Sequence, residues 1–302
     1  MIDPRLRVLQ LVAQLGTVTA AAEVLSYTPS GVSHQLRQLS DELGVPLLAP
    51  EGRGIRLTEH ARILLRHAEM LFAQAERAYA ELSSGAGTGG GTFTLCGFST
   101  AATHLLPAAA ARVRDTYPGI EVRVIEAEPE RCLNLLLSGD ADLALVTATA
   151  AVPALTDHRF DQRHLFDDPL DLVVSKAHPL ATRRSATLSE AAEEPWIVGR
   201  PDGPYHPLMI SACLSAGFSP HIAHYADEWD TGIALVERGF GVTLVPRTAR
   251  IHADWAVVRV PLRGRAKPVR RVVSLTRMGA RDRSTVSTAL AAIEGVRAQV
   301  GG

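Results

Sequence analysis

The chain has 302 residues, 46% hydrophobic and 21% charged, the balance of a core-forming protein with room for two or three domains. Its formal net charge is −1, and residues 1–90 carry eight Arg, no Lys and nine Asp or Glu, so bulk basicity gives no support to a polyanionic partner. No apolar run reaches the ~18 residues of a membrane span, no apolar stretch with a small-residue cleavage site marks a secretory leader, and three scattered cysteines (Cys96, Cys132, Cys213) lack metal spacing. The expectation is a cytoplasmic protein with reduced thiols, no membrane partner, and no cofactor or metal.

In chain order, Leu6, Leu9 and Ala13 recur at helical spacing and Gly16 ends a first helix. Thr19 is placed to cap a second, Ala-rich helix, AAAEVL. Thr28 is an N-cap candidate for a third, with Pro29 at the first helical position, where a missing N–H costs nothing. Val32, Leu36, Leu39 and Leu43 give that helix one apolar face, and Gly44 with Pro46 stops it. Its opposite face carries Ser30, Ser33, His34, Arg37 and Gln38, all hydrogen-bonding types gathered near the N-terminal end. A recognition helix presents that end to base edges while hydroxyls and arginines hold phosphates. A solvated polar face would look the same, and the short preceding helix and tight turn favour DNA. EGRGIRLT at 51–58 reads as a Gly-turned hairpin with Arg53 at its tip, placed to enter a minor groove.

From 59 to 82, Ala61, Leu64, Ala68, Leu71, Ala75, Ala78 and Leu82 alternate at spacings of three and four. That is an a/d seam, read here as a dimer contact in preference to packing on its own domain. SSGAGTGGG at 83–91 follows as a flexible hinge; its formal GxGxxG comes after a helix and before a strand, the reverse of a dinucleotide site.

Beyond the hinge, strand-like runs at 93–98, 120–126, 143–147, 170–175, 196–199, 222–226, 242–246 and 269–275 alternate with helical stretches at 104–116, 130–138, 204–216, 229–238 and 284–299. The alternation predicts α/β lobes with largely parallel sheets. Crossovers near 165 and 266 would leave a cleft between two lobes. Ser99 and Thr100, at a strand end opening a helix, suit a carboxylate, although simple capping accounts for them equally.

GTVTAAAEVL (16–25), TPSGVSHQLRQL (28–39), LGVPLL (43–48), RLTEHA (56–61), LLLSGDADLALV (135–146), DDPLDLVVSKAHPLA (167–181) and VERGFGVTLVP (236–246) together resemble the LysR-type transcriptional regulators over essentially the whole chain. The resemblance implies an α+β multidomain protein: an all-α winged helix-turn-helix over 1–58, a dimerisation helix over 59–83 and the hinge at 84–91. A periplasmic-binding-protein-like effector domain would follow over 92–302, with lobe I at 92–164 and 267–302 and lobe II at 165–266. It implies a homodimer or homotetramer on double-stranded promoter DNA, a small-molecule effector, and RNA polymerase as a further partner. By family position Glu128, Thr147, Gly199, Arg200, Asp202, His206, Asp227 and Glu228 line the effector cleft, and the acids among them would favour an amine-bearing effector. The chain departs from the family pattern at Pro29 (often Gln), Ser40 (Glu), Pro50 (Arg) and His60–Ala61 (Ala-Gly).

The competing readings are an enzyme and a solute-binding protein without DNA-binding function. No GxSxG, GxxxxGK[ST] or HExxH motif supports the first. His221, His224 and Asp227 offer poor metal geometry, because a strand turns 221 and 224 to opposite faces. Cys213 lacks a nearby resolving partner for redox sensing.

Overall fold

A computed structural model describes residues 2–52, 54–83, 90–149, 152–265 and 267–300. The chain divides into two compact units: one of residues 1–146, 150–163 and 273–302, the other of 147–149 and 164–272. Two strands, β6 (Phe160–Ser175) and β11 (Val269–Arg277), begin in one unit and end in the other.

The first unit opens with α1 (Pro4–Leu15), α2 (Val18–Leu25) and α3 (Pro29–Leu43). Thr17, rather than Thr19, caps α2, its hydroxyl accepting from Ala20 N–H at 3.1 Å. The extended backbone a cap needs occurs at Thr17, one residue after left-handed Gly16 has ended α1. Ser26 closes α2 with φ of 54°, a conformation rare outside glycine, and so makes the tight turn into α3. The three helices share one core through Leu9, Leu11, Ala21, Val32 and Leu36. Leu43 lies outside that core at 47% exposure, because α3's last turn runs past it and the half-buried Val45 takes its place. The hairpin starts earlier than its sequence signal: β1 (Leu48–Glu51) pairs antiparallel with β2 (Gly54–Leu57) in the register Leu48↔Leu57.

α4 (Glu59–Ser83) begins where Thr58 caps Ala61 N–H and donates to the Pro46 carbonyl. Its seam is a correction. Ala61 and Ala68 are fully buried and Leu64 partly buried against the chain's own helical core. Leu71 and Leu82 stand free at 52% and 72% exposure, beside exposed Ile63 and Met70. An a/d repeat announces an apolar stripe without saying what covers it, and here the first half is covered internally. Residues 84–89, most of the expected hinge, lie outside the described residues.

The rest of this unit is α/β. Strand β3 (Gly91–Gly97) runs parallel to both β4 (Ile120–Glu126) and β5 (Leu143–Thr147). Helices α5 (Ser99–His104), α6 (Leu106–Thr116), α7 (Pro129–Ser138) and α10 (Ser284–Val300) accompany them, with α6 against α10 and α1 against α7.

The second unit is less parallel than the alternation suggests. β6 pairs antiparallel with β9 (Thr243–Pro246) and with β10 (Val257–Val260), whereas β7 (Pro195–Val198) and β8 (His221–Tyr225) run parallel. The long β6 takes both neighbours at residues 170–175, and the chain passes from β9 to β10 through residues 247–256, which form no helix. Helix α9 (Trp229–Glu237) packs on β7, β9 and β10, and α8 (His206–Ser215) buries Met209, Ala212 and Cys213 in this unit's core. Leu170, Leu172, Trp196 and Leu244 lie at the centre of this unit's core.

Candidate DNA interface and effector site

Two devices fix α3. At its start the Thr28 hydroxyl accepts from Gly31 N–H at 3.1 Å and lies 3.1 Å from the Ser30 hydroxyl. At its end Arg5, on α1, grips Glu42 with two hydrogen bonds of 2.8 and 2.6 Å and also binds Asp3. The guanidinium holds both carboxyls below their ordinary range. Ser40 has a task that the family comparison of single letters hides: its hydroxyl accepts from Leu47 N–H at 3.2 Å and fastens the turn between α3 and the hairpin.

With Val32, Leu36 and Leu39 turned inward, α3 presents Ser30, His34, Arg37 and Gln38 as exposed side chains, with Ser33 half-exposed. Arg37 makes no hydrogen bond or ion pair among the described residues, leaving its guanidinium available to an outside acceptor. A cleft of about 690 Å³ runs beside α3, with Ser33, Arg37, Ser40 and Asp41 on one wall and Leu48 and Ile55 of the hairpin on the other. Arg53 falls outside the described residues. Arg56, exposed on β2 and paired in register with Ala49, is a second basic residue of the hairpin that sequence inspection passed over. Pro50, where the family has Arg, lies exposed within β1 opposite Ile55.

Of the residues expected to bind an effector, three belong to the first unit. Ser99 is the first residue of α5, whose cap is Phe98, so neither hydroxyl caps the helix; Thr100 is buried. Glu128 is the exposed cap residue of α7 without a side-chain cap bond.

The others belong to the second unit, where most come together. The Asp227 carboxylate accepts from Arg200 N–H at 2.9 Å and from its Nε at 2.5 Å, while Asp202 stands 3.9 Å from the same guanidinium. His206 donates from Nδ1 to the Gly199 carbonyl at 2.8 Å. Glu228 is the exposed cap residue of α9. This knot ties the loop after β7 to the loop after β8, and it engages Asp227 internally instead of leaving it for an amine.

Thr147 stands apart from the knot. It lines a separate pocket of about 400 Å³ with Asp167, Tyr205, Leu208, Arg270 and Arg271. Behind the pocket, Arg270 is buried and held by Asp168 at 2.7 Å, the Thr248 hydroxyl at 2.7 Å and the Tyr205 hydroxyl at 3.3 Å. Sequence reading missed these residues. The available signal was the Arg-Arg pair inside the apolar run VRRVVSL, since a charge in a buried strand requires a partner.

A three-helix head with a hairpin wing, followed by a two-lobed α/β domain with side-chain-lined pockets, defines a class: a helix-turn-helix transcription regulator with a ligand-sensing domain. Residues 4–62 match the model of the bacterial regulatory helix-turn-helix protein, lysR family, and residues 86–297 match the LysR substrate binding domain. The chain belongs to the LysR family of transcriptional regulators. It is 30% identical to the HTH-type transcriptional regulator AlsR of Bacillus subtilis over 233 residues, 76% of this chain and 75% of that one. Its fold is similar to that of an OxyR variant of Corynebacterium glutamicum (TM-score 0.62, 23% identity, 99% of this chain and 94% of that one). It is likewise similar to full-length CbnR complexed with its target DNA (TM-score 0.54, 20% identity, 96% and 100%). Among the described residues no helix is long and apolar enough to cross a membrane.

Proposed function

We propose that this regulator reads operator DNA with the outward face of α3, Thr28 and Ser30 meeting phosphate and Ser33, His34, Arg37 and Gln38 reaching base edges, with Arg53 and Arg56 of the hairpin on the flanking backbone or minor groove. The observation that carries the reading is the exposed Arg37 guanidinium, unpaired among the described residues, on the polar face of a helix clamped at both ends. The chain works in the cytoplasm as a regulator and not as an enzyme. It acts as a homodimer through the exposed stripe of Ile63, Met70, Leu71 and Leu82, and two dimers form a tetramer on promoters where RNA polymerase also binds. A small-molecule effector favours one of two arrangements of the sensor and thereby changes promoter binding; only a difference in its affinity for the two can drive the switch.

Fluorescence anisotropy with duplex from upstream of the chain's own coding region tests this. Tight binding that weakens steeply with salt is expected, and salt-insensitive or absent binding would refute it.

A further inference from the structure

On the second unit a groove of about 500 Å³ lies along the loop from β9 to β10, and it shares no lining residue with the pocket at Thr147. Lys176, Arg247, Arg250, His252 and Arg259 line it together with Trp255, and no Asp or Glu is among its described lining residues. Arg247 and Arg259 share the buried Asp171, at 2.8 and 3.7 Å. Four fixed positive charges against that one carboxylate leave an excess of three, before any proton on His252. Asp254, exposed on the same loop, is not part of the lining. The excess is available to a ligand, because the side chains of Lys176, Arg250 and His252 are exposed and make no hydrogen bond or ion pair among the described residues.

The walls of the groove are held in place. Arg259 donates to the Val245, Pro246 and Ala249 carbonyls at 2.9, 3.2 and 2.8 Å and so fixes the start of the loop. Half-buried Ile251 and Trp255 pack on the core cluster of Val173, Val245 and Val257 and fix the rest. The Trp255 ring also meets that of His252, with centroids 5.8 Å apart. A concave wall of preset cations focuses its field on an anion and needs little reordering to receive one. Lys and Arg hold phosphate oxygens by charge-assisted hydrogen bonds, and an indole beside them offers a face to a planar ring. A duplex or an extended acidic peptide would fill only part of a concave site, whereas small-molecule pockets commonly span ~300–1,000 Å³. The two linked phosphates of a nucleoside diphosphate carry about three negative charges at neutral pH, which equals the excess. We infer that this groove is a second ligand site, for a nucleoside diphosphate, with the phosphates on Lys176, Arg247 and Arg250 and the base against Trp255. It is separate from the effector switch proposed above and does not depend on it.

Calorimetric titration of the full-length chain with ADP and GDP in magnesium-free buffer tests it, against adenosine, pyrophosphate and inorganic phosphate. Saturable heat is expected with at least one nucleotide, bound about tenfold tighter than adenosine or pyrophosphate. Lys176→Gln and Arg250→Gln should each weaken that nucleotide about tenfold, the loss of one hydrogen bond to a charged group. Both variants should melt with the wild type, since neither side chain has a described partner to lose. Tryptophan emission should change on binding in the wild type and not in Trp255→Phe, which keeps a ring for the base. No saturable nucleotide binding at millimolar concentration, unchanged affinity in both charge variants, or an emission change that survives Trp255→Phe would overturn the inference. Pyrophosphate or adenosine binding as tightly as the nucleotide would also overturn it, assigning the groove to an inorganic oxyanion or to a base alone. Loss of affinity for the upstream duplex in both charge variants, without nucleotide binding, would overturn it in favour of a DNA contact.

Discussion

Glu76 offers the sharpest energetic test, because it is buried on α4 between two arginines of the sensor domain. Arg277 donates from Nε to Glu76 at 2.5 Å, and Arg283 reaches the other carboxylate oxygen. Asp142 completes the cluster at 3.0 Å from Arg277 and 3.4 Å from Arg283. Replacing Glu76 with Ala leaves the buried Arg277 guanidinium and the partly buried Arg283 guanidinium facing one carboxylate. Breaking a buried ion pair from one side costs ~3–5 kcal/mol. The lower end applies here, because Asp142 and the Leu136 and Ala141 carbonyls still receive Arg277. About 3 kcal/mol corresponds to a fall in Tm of roughly 6–12 °C for a unit of this size. Glu59→Ala is the control: its partner Arg62 lies 3.2 Å away with both side chains more than half exposed, which is worth under ~0.5 kcal/mol. Thermal melts followed by near-ultraviolet circular dichroism at neutral pH compare the two. Equal shifts in Glu76→Ala and Glu59→Ala would refute the argument that burial decides the cost.

Arg37→Ala should lower operator affinity by ~1–3 kcal/mol if it reads a base, whereas Arg56→Ala should mainly flatten the salt dependence by about one unit; anisotropy at several salt concentrations distinguishes the two roles. Leu71→Glu with Leu82→Glu should turn dimers to monomers in sedimentation, while Ala61→Glu, buried in the chain's own core, should unfold the head instead. Burial pushes the Cys213 thiol up to about 12, and a hydrogen bond with Cys132, together with burial, holds Cys96 well above the ordinary thiol range. Native protein should therefore resist a thiol reagent at pH 8 and expose all three cysteines only in denaturant; rapid native labelling would contradict this. Burial also raises the Glu69 carboxyl above its usual range. A raised acid binds its proton more readily when folded, so stability falls as pH climbs from the unfolded value through the folded one. Glu69→Gln should gain stability over wild type at pH 8 and lose that advantage near pH 4, read from paired urea melts.

Much of this architecture was legible because it rests on local rules. Thr28, Pro29 and Gly44 bound α3 as their chemistry requires, and residues 120–126 and 143–147 form strands where apolar runs announced them. The errors have one physical origin: sequence shows which side of an element is apolar without showing what covers it. The heptad spacing points Ala61 and Ala68 to a partner subunit, yet their own core takes them. β10 and the first ten residues of β6, FDQRHLFDDP, escaped notice because the charges in them are satisfied by residues far away in the chain, such as Arg281 for Asp161 and Arg270 for Asp168. The pocket at Thr147 was half visible for the same reason. Family position pointed to Thr147, but Arg270 and Arg271 join it only through the return of the chain more than a hundred residues later.

The most direct measurement is selection of bound duplexes from a randomised DNA pool by wild type and by Arg37→Ala and Gln38→Ala. If α3 reads the major groove from a two-fold dimer, the wild type enriches an inverted repeat, and each variant relaxes preference at one symmetric pair of positions while keeping the repeat spacing. Identical enriched sequences from all three proteins, or no enrichment by the wild type, would contradict the account.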